Sequence, residues 1–357
     1  MFLSLKPLSL PPRHPERRAL LRQIDAALLT DGWFRVPIDE ETAAAVDNAF
    51  AEAKQFLSRP EAERLAYTRE RALEQGCAGF TYLPVGAEPL YDADAATTQR
   101  VHSLNLHEAL SAEEVDARLH DQTPYERALA LSYHAWPTEP SLAPLLAAAA
   151  ELRSRLRGSL CEPLLHAFAA LLGGEEEMLV RRCCGGRSDN TSLLRLLEYP
   201  PLEGASEGTW GVSAHTDYEV FSLLHQDRPG LQLRGRGGGW LSAPHSAERC
   251  CFVLVGDMLE RLSAGYFAAT PHRVLPTPAG QRARRSFVYF QAFDEEEPVS
   301  ATTLARARRT PVSAPFLAWL EALPEQARRR FAHPVTQREW TEAKDSAASA
   351  ALAESAG

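Results

Sequence analysis

Hydrophobic residues recur every three or four positions in the first half of the chain, which is the spacing of helices that bury one face. This pattern predicts helices over residues 18–29, 39–58 and 141–172, with a short strand over 33–37. Pro163 falls well inside the longest helix, so we expect a kink or a break near residue 160, because proline removes a backbone donor and clashes with the preceding turn.

The second half of the chain has a different pattern, with short apolar runs separated by Gly and Pro. These runs predict strands over 191–199, 211–216, 220–225, 230–234, 240–242, 251–255, 270–274 and 285–293. Eight such strands suit a double-sheet jelly roll, whose interior can hold a metal and a ligand. We therefore predict a mainly β fold with flanking helices.

Three segments describe the predicted organisation of the chain. An N-terminal α/β segment covers residues 1–135, a helix and a β core cover 136–335, and a tail covers 336–357, all within one compact unit. Glycine and proline over 71–100 predict a long loop with an extended piece at 80–82. The chain returns to helix over about 315–332, and its Ala/Ser/Glu-rich end from residue 342 is expected to be frayed or disordered.

Composition narrows the classes of partner. The 357 residues are 45% hydrophobic and carry a formal net charge of −9, which provides no basic surface for nucleic acid or an anionic membrane. No apolar run is long enough for a membrane span. Four of the six cysteines form adjacent pairs, which predicts reduced thiols rather than a disulfide framework. We expect a cytoplasmic protein, a monomer, that acts on a small molecule.

Candidate metal ligands lie in the strand-rich half. On a strand, side chains two apart point to the same face, so His215 and Asp217 project together. A distant imidazole, His272, completes a set of two histidines and one carboxylate. This set binds one face of a metal and leaves the opposite positions open, as in non-haem Fe(II) oxygenases. A lone His-x-Asp is common, so the prediction depends on His272.

A second candidate group would bind a carboxylate. Arg284 and Ser286 share one face of a predicted strand, and a planar guanidinium with a nearby hydroxyl suits both carboxylate oxygens. Tyr199 ends another predicted strand and adds a phenol. The alternatives are a solvated basic run for Arg284, which neighbours Arg282 and Arg285, and a core tyrosine for Tyr199.

Substrate contacts are sought in the loop and strand after Gly79, where Tyr82, Tyr91 and His102 are candidates. Surface or core packing is the alternative for each of them. Arg182 lies in an arginine-rich stretch that suggests an anionic substrate, with a solvated basic patch as the alternative.

The order of several motifs resembles the iron/2-oxoglutarate-dependent dioxygenases of the isopenicillin N synthase-like superfamily. The motifs are His215-Thr216-Asp217, Leu223-Leu224-His225-Gln226-Asp227, Gly230-Leu231-Gln232-Leu233, Gly256-Asp257-Met258-Leu259-Glu260, His272-Arg273-Val274 and Arg284-Arg285-Ser286. The similarity extends to Asp31-Gly32-Trp33-Phe34, so it covers about residues 18 to 335.

This resemblance implies a double-stranded β-helix, a distorted jelly roll, that binds Fe(II) through His215, Asp217 and His272. It also implies that Arg284, Ser286 and Tyr199 hold the far carboxylate of 2-oxoglutarate, with O2 as the second cosubstrate and ascorbate as a supporting reductant. The expected reaction is oxidation of an unactivated C–H bond by hydroxylation, desaturation or cyclisation, with specialised metabolism as the expected setting.

One departure from the family pattern bears on the cosubstrate. Leu197 stands where many plant members have asparagine, which removes one polar contact. An alternative is therefore a 2-oxoglutarate-independent Fe(II) oxidase of the isopenicillin N synthase type, whose Arg/Ser pair holds the substrate's own carboxylate. A non-catalytic binding protein of the same fold is a third hypothesis.

Overall fold

The computed structural model describes residues 1–87, 98–118, 123–184, 192–202, 208–245, 248–294, 297–300, 321–322, 324–325, 331 and 333–345. Tyr91, most of the predicted helix over 315–332 and the end of the tail lie outside these residues.

Helices dominate the first half, as the hydrophobic spacing predicts. They are α1 (Pro15–Thr30), α2 (Glu40–Leu57), α3 (Glu61–Arg64), α4 (Arg69–Glu74), α5 (Ala112–Arg118), α6 (Pro124–His134), α7 (Ala143–Leu156), α8 (Glu162–Leu171) and α9 (Glu177–Cys184), with α10 (Asp257–Leu262) inside the β region. Short 3-10 turns occur at Lys6–Ser9, Leu65–Tyr67 and Pro140–Leu142. The described helices include no segment long and apolar enough to cross a membrane.

The predicted interruption of the long helix is confirmed. One wide turn of π-helix, Arg157–Cys161, separates α7 from α8, and Pro163 is the second residue of α8. Proline lacks the backbone donor that a regular helix would use there, and the wider turn accommodates its ring. Both helices bury leucine and alanine side chains in the main hydrophobic core.

Eleven of the thirteen described strands form two antiparallel sheets, which confirms the predicted double-sheet fold. The thirteen strands are β1 (Trp33–Pro37), β2 (Phe80–Leu83), β3 (Thr98–Gln99), β4 (His102–Leu106), β5 (Leu193–Tyr199), β6 (Thr209–Trp210), β7 (Val212–His215), β8 (Phe221–Gln226), β9 (Leu231–Arg234), β10 (Trp240–Ser242), β11 (Cys250–Val255), β12 (His272–Val274) and β13 (Arg284–Gln291). The large sheet has the order β1-β11-β8-β13-β5-β4-β2, the small sheet has the order β10-β9-β12-β7, and β3 pairs with β6. The predicted loop over 71–100 therefore contains the end of α4 and the strands β2 and β3.

The large sheet has two faces with different partners. Its outer face packs on the helices, so that Phe287 of β13 contacts Phe50 of α2. Its inner face carries Leu224 and Val288, which join Leu233 and Val274 of the small sheet in a second hydrophobic cluster. The space between the two sheets is the interior that the jelly-roll prediction requires.

The tail begins as an ordered helix, over residues 337–345. The Thr336 hydroxyl accepts a hydrogen bond from the Glu339 backbone N–H at 3.2 Å, and the Glu339 carboxylate accepts one from the Thr336 N–H at 2.9 Å. Trp340 Nε1 donates to the Asp257 carboxylate at 3.0 Å, which fixes the helix on α10. The prediction of a frayed or disordered end is therefore wrong for residues 342–345.

Candidate active site

The two histidines come from neighbouring strands of the small sheet. His215 ends β7 and pairs directly with His272, the first residue of β12. His272 also pairs with Leu233, whose side chain belongs to the cluster between the sheets. Directly paired residues project from the same face of a sheet. Both imidazoles therefore face the interior, with ring centroids 4.2 Å apart.

Asp217 reaches the same place from the turn that follows β7. Its backbone carbonyl accepts a hydrogen bond from the Asp257 N–H at 2.8 Å, at the start of α10. Gly256 allows this close approach, because a Cβ atom there would lie 2.1 Å from the Glu219 carbonyl oxygen and 3.3 Å from that of Asp217. Asp217 is only 5% exposed.

The ligand atoms of these three residues converge. All lie within 4.8 Å of one another, and they form the candidate metal cluster of the described residues. Asp217 Oδ1 is 3.5 Å from His215 Nε2 and 3.7 Å from His272 Nε2. The Nδ1 atoms face backbone carbonyls, that of Ser213 at 2.8 Å for His215 and that of Thr270 at 3.1 Å for His272. A proton on each Nδ1 leaves the Nε2 lone pairs for a metal.

Protonation states support metal binding at neutral pH. Burial lowers the pKa of His272 to about 4, although Asp217 opposes the shift, so this imidazole is neutral. Burial alone would raise the pKa of the Asp217 carboxyl, but the His272 and His215 imidazoles and the Ser222 hydroxyl reverse this and hold it below its usual range. A buried carboxylate beside two imidazoles fits a divalent cation with nitrogen and oxygen ligands, and the set of two histidines and one carboxylate fits Fe(II).

Arg284, Ser286 and Tyr199 meet on the inner face of the large sheet. Arg284 of β13 pairs with Tyr199 of β5, and Ser286 lies two residues further along β13. The Ser286 hydroxyl donates to the Tyr199 phenol at 3.4 Å, and the Arg284 guanidinium lies over the Tyr199 ring, 4.6 Å from its centroid. The structure therefore brings the three predicted residues together.

Arg284 is buried, at 3% exposure, and its donors are unequally used. Nε donates to the Arg228 carbonyl at 3.1 Å and Nη2 to Gln226 Oε1 at 2.9 Å. Nη1 is buried and has no hydrogen-bond partner among the described residues. Burial lowers the pKa of Arg284, partly offset by Tyr199, but an arginine with an ordinary pKa above about 12 remains charged. A buried charge with an unused donor fits an anionic ligand.

Residues 190–292 match the family model described as the 2OG-Fe(II) oxygenase superfamily, and this range contains all six residues of the metal set and the carboxylate receptor. Residues 190–292 therefore match a 2OG-Fe(II) oxygenase domain.

Two curated proteins that are similar to this chain are named as a hydroxylase and a dioxygenase. The chain is 34% identical over 146 residues to homoarginine-6-hydroxylase 2-ODD-C23.1 of Arabidopsis thaliana, which is 39% of this chain and 42% of that protein. It is 29% identical over 136 residues to a gibberellin 2-beta-dioxygenase of Phaseolus coccineus, 37% of this chain and 40% of the relative. The chain thus spans less than half of the length of these curated relatives.

One solved structure shares the fold of this chain over nearly the full length of both proteins. A full-length protein of Neurospora crassa, crystallised in complex with alpha-KG, superposes with a TM-score of 0.68 at 18% identity, over 95% of this chain and 93% of that one. This similarity confirms the jelly-roll architecture.

Two of the predicted substrate residues lie on the wrong face of the large sheet. Tyr82 packs against Phe56 of α2, with ring centroids 5.7 Å apart, and its hydroxyl contacts His102 Nδ1 at 3.0 Å. His102 pairs with Glu198, whose neighbours in the strand, Leu197 and Tyr199, face the interior. Because strand residues alternate, Tyr82 and His102 face the helices, and we withdraw them as substrate contacts.

The other two predicted substrate residues have different outcomes. Arg182 donates to the Glu297 carboxylate at 2.7 Å and to the Pro298 carbonyl at 2.8 Å, and it lies over the Phe293 ring. These contacts give Arg182 a structural role in joining α9 to the segment after β13, which corrects its prediction as a substrate contact. Tyr91 lies outside the described residues.

Sequence reasoning gave no role to Arg195, which lies on the inner face of β5. Arg195 pairs with Val288 and donates through Nε to Asn105 Oδ1 at 2.7 Å. Its guanidinium lies over the Phe290 ring, 5.5 Å from the centroid, and Phe290 pairs with Ser222, the serine that contacts Asp217. Arg195 therefore brings a positive charge to the wall between the metal set and the carboxylate receptor. The sequence did contain a signal for this position: Arg195 lies four residues before Tyr199 on the same predicted strand, so both side chains project from one face.

Proposed function

We propose that the chain is a non-haem Fe(II)- and 2-oxoglutarate-dependent dioxygenase that oxidises an unactivated C–H bond of a small molecule. The observation that carries this proposal is the convergence of His215, Asp217 and His272 within 4.8 Å of one another, inside a fold whose facing sheet bears a buried arginine with an unused donor. The match to the 2OG-Fe(II) oxygenase superfamily supports both halves of the site.

In this proposal the chain holds and orients the reactants. His215, Asp217 and His272 would hold Fe(II) on one side and leave the opposite positions open. Fe(II), together with 2-oxoglutarate and O2, supplies the oxidising power for the C–H bond. Arg284, Ser286 and Tyr199 would bind the distal carboxylate of 2-oxoglutarate and so fix its oxoacid end toward the metal. Apolar side chains between the two sheets would exclude water from the site, and positioning of one C–H bond would select the product.

The test is stoichiometry. With Fe(II), ascorbate, O2, 2-oxoglutarate and a substrate that is turned over, we expect 2-oxoglutarate to yield CO2 and succinate, and succinate and oxidised substrate to form in equal amounts. His215→Ala should abolish both products. Arg182→Gln is a matched control, because Arg182 is engaged by Glu297 outside the proposed site. Substrate oxidation and O2 uptake that proceed without 2-oxoglutarate would contradict the proposal.

That contradictory result would support the second candidate, a 2-oxoglutarate-independent Fe(II) oxidase. Leu197, which lies opposite Ser286, favours it, because an apolar side chain stands where many relatives offer an amide. In that case Arg284 and Ser286 would hold a carboxylate of the substrate itself.

We further propose that the substrate is a small molecule that bears a carboxylate. Arg195 supports this, because it places a guanidinium on the wall between the two halves of the site. The names of the relatives, a homoarginine hydroxylase and a gibberellin dioxygenase, indicate two compound classes to test first. A panel of amino acids and small carboxylic acids, incubated with Fe(II), ascorbate and 2-oxoglutarate, would identify the class by mass spectrometry.

A further inference from the structure

The amide of Gln226 lies beside the carboxylate receptor. Gln226 ends β8 and pairs with Ser286 of β13, and Ser286 pairs on its other side with Leu197 of β5. Directly paired residues project from one face, so these three side chains form a row across the inner face of the sheet. Arg284 and Tyr199 form the next row. Gln226 is 6% exposed, so its polar atoms depend on partners inside the protein.

Two hydrogen bonds fix the orientation of this amide. Oε1 accepts from Arg284 Nη2 at 2.9 Å and from the Leu231 backbone N–H at 3.2 Å. Both partners are donors that cannot accept, so the oxygen and not the NH2 group must face them. The Nε2 group therefore points the other way. It is buried and has no acceptor among the described residues.

Gln226 Nε2 and Arg284 Nη1 are thus both candidates to bind an anion. Both are buried donors without an acceptor in the described part of the chain, and they belong to side chains that are hydrogen-bonded to each other. Buried donors are rarely left unsatisfied, because each loses its hydrogen bonds to water without replacement. One anion with two or more acceptor oxygens would satisfy both donors and balance the guanidinium charge. A carboxylate has this chemistry.

We propose that Gln226 is a further donor of the carboxylate receptor, with Nε2 binding the same distal carboxylate as Arg284 Nη1 and Ser286. This inference rests on the proposed function, since it takes the ligand to be 2-oxoglutarate. It also explains how the receptor tolerates Leu197: an amide is absent on one side of Ser286 and present on the other. Gln226 has a second role as a positioning residue, because its Oε1 holds the Arg284 guanidinium.

Binding affinities for two oxoacids test the inference. Isothermal titration of the Fe(II)-loaded protein without oxygen compares 2-oxoglutarate with 2-oxopentanoate, which lacks the distal carboxylate. We expect Gln226→Met to weaken 2-oxoglutarate roughly ten-fold or more, the usual effect of losing a hydrogen bond to a charged group, and to leave 2-oxopentanoate unchanged. Gln232→Met is the matched control, because Gln232 also accepts from an arginine, Arg273, at 2.8 Å but lies in the small sheet.

A double variant separates the donor role from the positioning role. If Nε2 contacts the carboxylate, Gln226→Met still weakens 2-oxoglutarate when it is added to Arg284→Met. No further loss in that background would overturn the donor role. Fe(II) affinity and the thermal unfolding midpoint, measured for each variant, identify any that fail to fold.

The failure of this inference differs from the failure of the proposed function. If the wild-type protein binds 2-oxoglutarate no better than 2-oxopentanoate, the dioxygenase proposal fails, and this inference fails with it. If the wild-type protein prefers 2-oxoglutarate and Gln226→Met keeps that preference in full, only the role of Gln226 is overturned.

Discussion

The two carboxylate oxygens of Asp217 have different partners. Oδ2 accepts a hydrogen bond from the Ser222 hydroxyl of the large sheet, whereas Oδ1 faces the Nε2 atoms of His215 and His272. A protein donor on one oxygen fixes the rotation of the carboxylate and presents the other to a metal. Residues behind metal ligands act in this way on affinity.

We expect Ser222→Ala to weaken Fe(II) binding about 10- to 100-fold, because the Asp217 carboxylate loses the donor that orients it. Anaerobic titration in competition with a chelator measures this change. Ser192→Ala is the control, since Ser192 is another buried serine and accepts from the Ala292 N–H at 3.0 Å. Equal Fe(II) affinities of Ser222→Ala and the wild type would contradict the assignment.

Protonation of His102 should make the stability of the fold depend on pH, independently of metal binding. Burial, with the Arg64 and Arg100 charges, lowers the pKa of His102 to about 4, below the value of about 6.5 expected in the unfolded chain. The unfolded state therefore binds the extra proton in this window, so stability falls as the pH drops from about 6.5 to about 4.

We expect His102→Gln to reduce the slope of the unfolding free energy against pH by the equivalent of up to about one proton. Urea unfolding at a series of pH values measures this slope. The wild-type protein provides the reference slope. An unchanged slope in the variant would show that other groups carry the acid sensitivity.

At the scale of elements, the turn between β7 and β8 depends on the strand-to-helix junction at Gly256. This glycine precedes α10, and its N–H donates to the Val220 carbonyl at 3.0 Å. The surrounding backbone leaves no room for a side chain, and the same turn carries Asp217. The residues 337–345 also bear on this junction, because Trp340 and Lys344 both contact the Asp257 carboxylate.

We expect Gly256→Ala to lower the free energy of unfolding by about 2 kcal/mol or more, because the new methyl group forces the β7–β8 turn to move. Fe(II) binding should weaken together with stability, since Asp217 moves with the turn. Gly237→Ala is the matched control, because a Cβ atom there meets nothing within 4 Å. Chemical denaturation measures the free energy of unfolding of both variants, and metal titration measures their Fe(II) affinity. Equal losses in Gly256→Ala and Gly237→Ala would contradict the steric argument.

Some helices could be predicted from sequence patterns alone, and others could not. The helical spacing and Pro163 predicted α1, α2 and the break between α7 and α8, because a local pattern and a local backbone restriction determine these features. The helices α3 and α4 are too short to show a helical repeat, α5 and α6 were not predicted, and the helix over 337–345 was assigned to a tail. This helix is stabilised through Trp340, which contacts Asp257, a residue distant in sequence.

At the scale of the whole molecule, the large sheet joins the N-terminal segment to the β core. Strand β1 pairs with β11, and β4 pairs with β5, so strands from residues 1–135 lie at both sides of the central strands. The boundary predicted near residue 135 thus divides one hydrogen-bonded sheet. We propose that the two segments are not independent folding units.

Expression of residues 136–335 alone should therefore give an aggregated or unfolded product, because β11 and β5 would expose unpaired edges and the outer face would lose α2. Co-expression with residues 1–135 should restore a soluble complex, as measured by size-exclusion chromatography. A stable, monomeric 136–335 fragment that unfolds cooperatively would contradict this prediction.

The sequence by itself was enough to predict the fold class, the six candidate residues of the metal set and the carboxylate receptor, and an interruption of the long helix near residue 160. The reason is that strand alternation, motif order and proline geometry are properties of the chain itself. The tertiary structure decided which residues share a cavity. It moved Tyr82 and His102 to the helix-facing side and brought Arg195, Ser222 and Gln226 to the site. The physical reason is that the face of a strand and the orientation of an amide depend on partners far away in the chain.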